Sequence, residues 1–407
     1  MQKDFLIPKE QIDIQSQYKD KVKEILSNRY KGRKPKAYIH TYGCQGNVSD
    51  SERLKGLAVK MGYELVNSPK TADLALYNTC AVREHAEDRV FGNVGALKKY
   101  KKERQDMIIA LCGCMMQQRH VAEKIKNSYP FVSLVFGTHV SHKLPELLLK
   151  VLSTNKRVFD FTESDGVIAE GLPTVRGDNE NAFLPIMYGC DNFCSYCIVP
   201  YVRGRERSRN VKDIILEANE IINGGAKLIT LLGQNVNSYG KGTDTDFSDL
   251  IKLIDNLQGD FEFDFMTSHP KDCSKKLIDT LSQSRRYCRH LHLPVQCGSD
   301  RILKLMNRGY TRDEYLALIE YAKSKIPNIS LTTDIIVGYP SETYEDFKKT
   351  LSLVKEVEFN SMFTFIYSPR KGTKAFEMDD PIPKSEKSKW FGELLLVQEE
   401  IQKKNNP

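Results

Sequence analysis

Apolar positions in this chain recur on two periods, and the alternation between them predicts its elements. Near the start, Ile14, Tyr18, Val22, Ile25 and Leu26 share one face at helical spacing, with Gly32 and Pro35 placed to end that helix. From 36 to 155, short apolar runs alternate with longer amphipathic ones. Strands are expected over 37–42, 73–77, 107–111 and 132–136, and helices over 49–61, 84–102 and 143–152, the first capped by Ser49 or Asp50. This βα alternation predicts a doubly wound α/β domain with a parallel sheet. Residues 1–35 read as an N-terminal helical extension of it. Over 156–182 the pattern breaks: Asp165, Gly166, Gly171, Pro173, Gly177, Asp178 and Asn179 make a polar, turn-rich linker, with one strand expected near 157–161. Beyond it, β-rich runs at 183–187, 228–232, 261–266, 291–295, 330–337 and 362–367 are separated by helical segments. Six such units over 183–382 fit a partial parallel (β/α)6 barrel, so the chain is α/β throughout. Residues 383–407 add a last helix over 387–402.

A length of 407 residues exceeds what one hydrophobic core usually serves, in keeping with two domains. No segment approaches the ~18 uninterrupted apolar residues of a membrane span, and the first residues carry acids and no apolar signal core, so a cytoplasmic protein is expected. Ten cysteines in a long chain of this kind point to metal or redox chemistry rather than to disulfides. The net charge of +7 is modest but locally concentrated, at 98–104, 203–209 and 285–289 and in the run Lys31, Arg33, Lys34, Lys36. Such clusters can neutralise phosphates; a solvated charged face is the alternative.

Cys190, Cys194 and Cys197 form C-x3-C-x2-C, with Tyr196 just before the last cysteine. Three thiolates at this spacing can wrap three irons of one 4Fe-4S cluster and leave the fourth open to a small molecule, whereas a structural site closes its shell. The competing reading is a zinc knuckle, which lacks a fourth Cys or His at metal spacing nearby. Cys44, Cys80 and Cys114 each follow a predicted strand. The C-terminal ends of parallel strands share one edge, so these three can converge there, or their placement is chance in a cysteine-rich chain. Cys112 sits on a strand and reads as a core thiol. At the barrel's C-terminal mouth, polar words follow the strands: Gly233, Gln234 and Asn235; Thr267, Ser268 and His269; Gln296 to Ser299; and Tyr367 to Arg370, with Asp334 inside the fifth strand. Each alone also suits a helix cap, a turn or a buried backbone contact.

The words TYGCQGNVSDSER, NTCAVREHAEDR and GCMMQ resemble the N-terminal cysteine motifs of the radical S-adenosylmethionine (SAM) methylthiotransferase family. CDNFCSYCIVPYVRGRERSR, LLGQNVNSYG, TSHPKD, HLPVQCGSDRILKLMNRGYTRDEY, TDIIVGYPSET and YSPRKGTKA resemble the remainder of the same family, in the same order. Gly46, Val202 and Cys297 stand where that family usually has Met, Thr and Ser. The resemblance implies two 4Fe-4S clusters, an auxiliary one on Cys44, Cys80 and Cys114 over 36–155 and a SAM-binding one on Cys190, Cys194 and Cys197. It implies cofactor contacts from Tyr196, Gly233, Gln234, Asn235, Ser268, Gln296 and Asp334. Arg203, Arg205, Glu206 and Arg209 are expected either to meet substrate or to brace the loop. The implied reaction uses one SAM to methylate a sulfur at the auxiliary cluster and a second to generate a 5′-deoxyadenosyl radical, which removes hydrogen from C2 of N6-isopentenyladenosine at position 37 of tRNA. Implied partners are the tRNA anticodon stem-loop, a reduced electron donor such as a flavodoxin, and a sulfur source, with no membrane. A small C-terminal RNA-binding barrel usual in the family, the TRAM module, is expected to be absent or truncated. Alternatives are a relative acting on threonylcarbamoyl adenosine or on a ribosomal-protein aspartate and, in another class, a non-catalytic iron-sulfur electron carrier or RNA-binding protein.

Overall fold

A computed structural model describes residues 5–82, 86–162, 164–178 and 180–405. Two compact units divide the chain: 1–178 together with 201–207, and 179–200 together with 208–407.

The first unit is built on six parallel strands: β1 (Lys36–Thr41), β2 (Glu64–Leu65), β3 (Leu74–Thr79), β4 (Ile108–Gly113), β5 (Leu134–Phe136) and β6 (Val158–Asp160), in the order β2-β1-β3-β4-β5-β6. Both central strands, β3 and β4, are buried at every position, as a sheet covered on two faces requires. One apolar core holds Val22, Leu57, Leu76 and Leu148; a second, on the opposite face, holds Tyr77, Val94, Ile109 and Ile125. The sheet is therefore doubly wound. Helix α1 (Lys9–Arg29) is part of this fold and not an extension, since Val22 and Leu26 are buried in the first core and Gln15 bonds Glu146 of the helix Leu144–Thr154. The strand expected near 157–161 is found at 158–160, as an edge strand of the sheet. The predicted helix 84–102 is described from Ala86 as α3 (Ala86–Glu103); 84 and 85 lie outside the described residues, as do 163 and 179 of the linker.

The second unit carries six parallel strands in chain order: β7 (Asn181–Pro185), β8 (Leu228–Leu232), β9 (Glu262–Phe265), β10 (His290–His292), β11 (Ser330–Val337) and β12 (Ser361–Ile366). They pair as β9-β8-β7 and β10-β11-β12. A parallel bridge from Phe263 to Tyr287 carries the first sheet toward the second. This is the partial (β/α)6 barrel. Its core lies between strands and helices, where Phe263, Phe265, Leu291, Ile335 and Phe347 are fully buried. The last helix, Lys384–Asn405, belongs to this unit: Leu394 and Ile401 are buried in the same core, and Trp390 stacks on Phe347 at 5.5 Å.

Candidate functional site

In the first unit the strand order places the topological switch point between β1 and β3, where open α/β sheets bind ligands beyond their C-terminal strand ends. Cys44 follows β1, Cys80 follows β3 and Cys114 follows β4. Each turn is shaped to deliver its thiol. Gly43 and Gly113 have φ of +119° and +94°, and a Cβ on Gly43 would lie 2.5 Å from the Cβ of Cys80. Cys44 is also the N-cap residue of α2 (Gln45–Lys60), at the positive end of a 16-residue helix. This helix begins four residues ahead of the predicted 49. Its first inward turn is polar, with Asn47, Ser49 and Ser51 buried, and so gave no apolar period to read.

Asn47 is the hub of this edge. Its amide nitrogen donates to Asn78 Oδ1 at 3.2 Å and to the Thr79 carbonyl at 3.0 Å, while Cys44 Sγ and Cys114 Sγ lie 3.4 and 4.0 Å from its Oδ1. Arg203 Nε donates to Cys114 Sγ at 3.1 Å, and its other end forms a 2.7 Å ion pair with Asp50. Burial pushes the Cys114 thiol up to about 12; Arg203 pulls it down, and Cys80 and Cys44 push it up again, so the three sulfurs feel one another. Cys112 is buried in the core behind them. Arg203 therefore lies at the Cys114 edge of the first unit. Arg205 is exposed and Glu206 half-buried on the same segment, while Arg209, in the second unit, donates to the Pro185 carbonyl and pairs with Glu217 at 2.7 Å.

In the second unit the loop after β7 carries Cys190 and Cys194, both buried, and Cys197. A segment the sequence did not single out straps this loop. Met306 O accepts from Ser195 N at 3.0 Å, Leu305 O from Ser195 Oγ at 2.9 Å, and Asn307 donates to the carbonyls of Asn192 and Phe193. Arg308, 4% exposed, donates to Cys194 Sγ and to the Tyr196 hydroxyl, both at 3.4 Å. The signal available was an Asn-Arg-Gly turn directly after an amphipathic helix. Burial pushes Cys197 up to about 12, with Cys194 adding to the rise and the Val199 N–H and Arg308 opposing it. His269 lies 4.0 Å from Cys194 Sγ and is held neutral, down to about 2, by burial and then by Arg308 and Lys271.

Around this mouth the sequence-predicted ring divides. Gln234 accepts the Gly189 N–H and so fixes the cysteine loop, and Gly233 lets β8 lie close to Met187. Asn235 donates to Asp272 at 2.7 Å, yet its Oδ1, the Asn237 amide nitrogen and Ser268 Oγ are buried without hydrogen-bond partners. Unsatisfied buried polar atoms are costly, and a polar ligand seated here would satisfy them. Gln296 is buried at φ +69°, and Thr267, a β-branched residue after β9, is at +71°. On the inner strand face a polar chain runs from Asp264 to His290 (2.8 Å), to Thr332 (2.8 Å), to His292 (3.0 Å) and to Asp334 (3.5 Å). Cys297 faces the other way, fully buried against Thr350 at 3.4 Å and Glu342 at 3.8 Å. Arg33 of the basic run is bound by Asp73 through two hydrogen bonds of 2.7 and 2.8 Å.

Residues 184–354 match the Radical SAM superfamily, and 36–137 match uncharacterized protein family UPF0004. Two curated proteins named tRNA-2-methylthio-N(6)-dimethylallyladenosine synthase align along most of the chain. The one from Caldicellulosiruptor saccharolyticus is 50% identical, over 96% of this chain and 84% of that protein; the one from Clostridium tetani is 49% identical, over 92% and 83%. Among solved structures, the radical S-adenosylmethionine methyltransferase TsrM from Kitasatospora setae, with cobalamin and a [4Fe-4S] cluster bound, shares the fold. Its TM-score is 0.62 at 13% identity, over 84% of this chain and 77% of that one.

Proposed function

This chain belongs to the tRNA-2-methylthio-N(6)-dimethylallyladenosine synthases, radical SAM enzymes that modify tRNA, and we propose how its residues divide that work. Cys190, Cys194 and Cys197 would hold one 4Fe-4S cluster, the one that engages SAM. Cys44, Cys80 and Cys114 hold a second. When bound, SAM on such a cluster supplies one-electron chemistry that can activate the C2–H of adenine, which no acid or base of this chain could do.

The protein's own part is placement. Gln234 and the 305–308 strap fix the loop that presents the first set, and Asn235, Asn237, Ser268, Gln296 and Asp334 offer polar atoms to SAM. Asn47 links Cys44 and Cys114 of the second set, and Arg203 offsets negative charge at the buried Cys114. Phe363 and Phe365, on the inner face of β12, receive an adenine splayed from the anticodon stem-loop at position 37. A low-potential electron donor of the flavodoxin kind and a sulfur source complete the turnover, in the cytoplasm where tRNA is found. No described helix is long and apolar enough to cross a membrane.

The observation that supports this reading is that in the first unit Cys44, Cys80 and Cys114 each follow the C-terminal end of a strand, in the second Cys190, Cys194 and Cys197 share the loop after β7, and a buried arginine donates to one sulfur of each set. Iron content after anaerobic reconstitution tests it. Changing either cysteine set to Ala is expected to remove about four irons. If only Cys190, Cys194 and Cys197 held iron, methylthio transfer through a second cluster would be excluded. Reductive cleavage of SAM separates this reading from an electron carrier, which would give none.

A further inference from the structure

Each thiol set touches one buried guanidinium, but the two differ in charge balance. Arg203 is paired with Asp50, so the pair brings little net charge to Cys114. Arg308 has no such partner. Besides Cys194 and Tyr196 it meets only the Tyr310 hydroxyl at 3.0 Å and the Pro294 carbonyl at 2.8 Å, and among the described residues no carboxylate pairs with it. A buried cation held rigidly by neutral oxygens keeps its field, because neither water nor a counter-ion screens it.

We propose that Arg308 is a positioning residue that raises the reduction potential of the cluster held by Cys190, Cys194 and Cys197, through its uncompensated charge and its N–H donated to the Cys194 sulfur. This rests on the reading of those cysteines as cluster ligands. The step concerned is uptake of one electron from a low-potential donor: the cluster gains a negative charge, the donor is oxidised, and no bond or proton moves. Hydrogen bonds to sulfur and local net charge are the means by which a protein sets such a potential. Cys44, Cys80 and Cys114 provide an internal control, since their guanidinium is already neutralised.

The test is an anaerobic redox titration of the reconstituted full chain followed by electron paramagnetic resonance, with iron content measured beside it. Each cysteine set is changed to Ala in turn to assign the two signals. In R308Q the signal of the Cys190, Cys194 and Cys197 cluster is expected to move to lower potential. The expected size is at least a tenfold fall in its reduced-to-oxidised ratio at fixed potential, about 59 mV for one electron, while the other signal stays in place. R308K keeps the charge but loses the planar fork and is expected to fall between. Full iron with an unmoved potential in R308Q overturns the proposal, as does an equal shift in both signals. If R308Q takes up no iron, R308K decides: a potential equal to that of the unaltered chain overturns the inference. Loss of iron from neither set when its cysteines are replaced would instead overturn the ligand assignment itself.

Discussion

On β12, Met362 is buried in the core, whereas Phe363 and Phe365 on the opposite face are 48% and 52% exposed. The face is the inner one, because the Phe363 ring meets His292 edge-on at 5.9 Å and His292 belongs to the polar chain inside the strands. Two large aromatics at alternate positions of a strand leave about half their surface unburied, and a flat base with an apolar tail would cover it. Stacking of a base on an aromatic side chain is worth about 1–3 kcal/mol by Ala substitution. F365A is therefore expected to weaken binding of an isopentenylated anticodon stem-loop by roughly ten- to a hundredfold. SAM cleavage without RNA should continue. Unchanged RNA affinity in both F363A and F365A would remove these residues from the substrate's path.

Strand ends decide where the first set of thiols stands. Gly43 and Gly113 each turn the chain at positive φ immediately before a cysteine, and Gly43 packs where a side chain would strike Cys80. G43A must displace Cys80 or bend the end of β1. It is expected to lose most of the iron of that set while the iron of Cys190, Cys194 and Cys197 is retained; full iron in G43A would show that the edge yields. These strand-end cysteines were legible because a βα alternation fixes which residues fall on the sheet's C-terminal edge. The C-x3-C-x2-C loop was legible from spacing alone. What escaped reading has a common cause: Asn47, Asn307 and Arg308 act through contacts made across 31 to 115 residues of sequence, on which local periodicity is silent. The start of α2 was missed because its inward turn is polar.

The chain visits the first unit twice, for 201–207 returns to it from beyond the second set of cysteines. Arg203 is therefore a late-arriving part of an early fold, and its pair with Asp50 closes the thiol edge. Removing one partner of a buried ion pair strands the other; with Asp50 still 25% exposed, the lower end of the usual cost, about 3 kcal/mol, applies. For a unit of this size that corresponds to roughly 6–12 °C in its midpoint. The chain has one tryptophan, Trp390, and it is buried in the second unit, so its fluorescence reports that unit alone. In the iron-free chain, R203Q is expected to lower the thermal transition seen by far-ultraviolet circular dichroism and to leave the Trp390 midpoint where it was. Two probes that part company in this way mark two units that unfold separately, as chains of more than one domain commonly do. An equal fall in both midpoints would mean that the two units unfold as one, and that the cost of losing Arg203 is borne by the whole molecule.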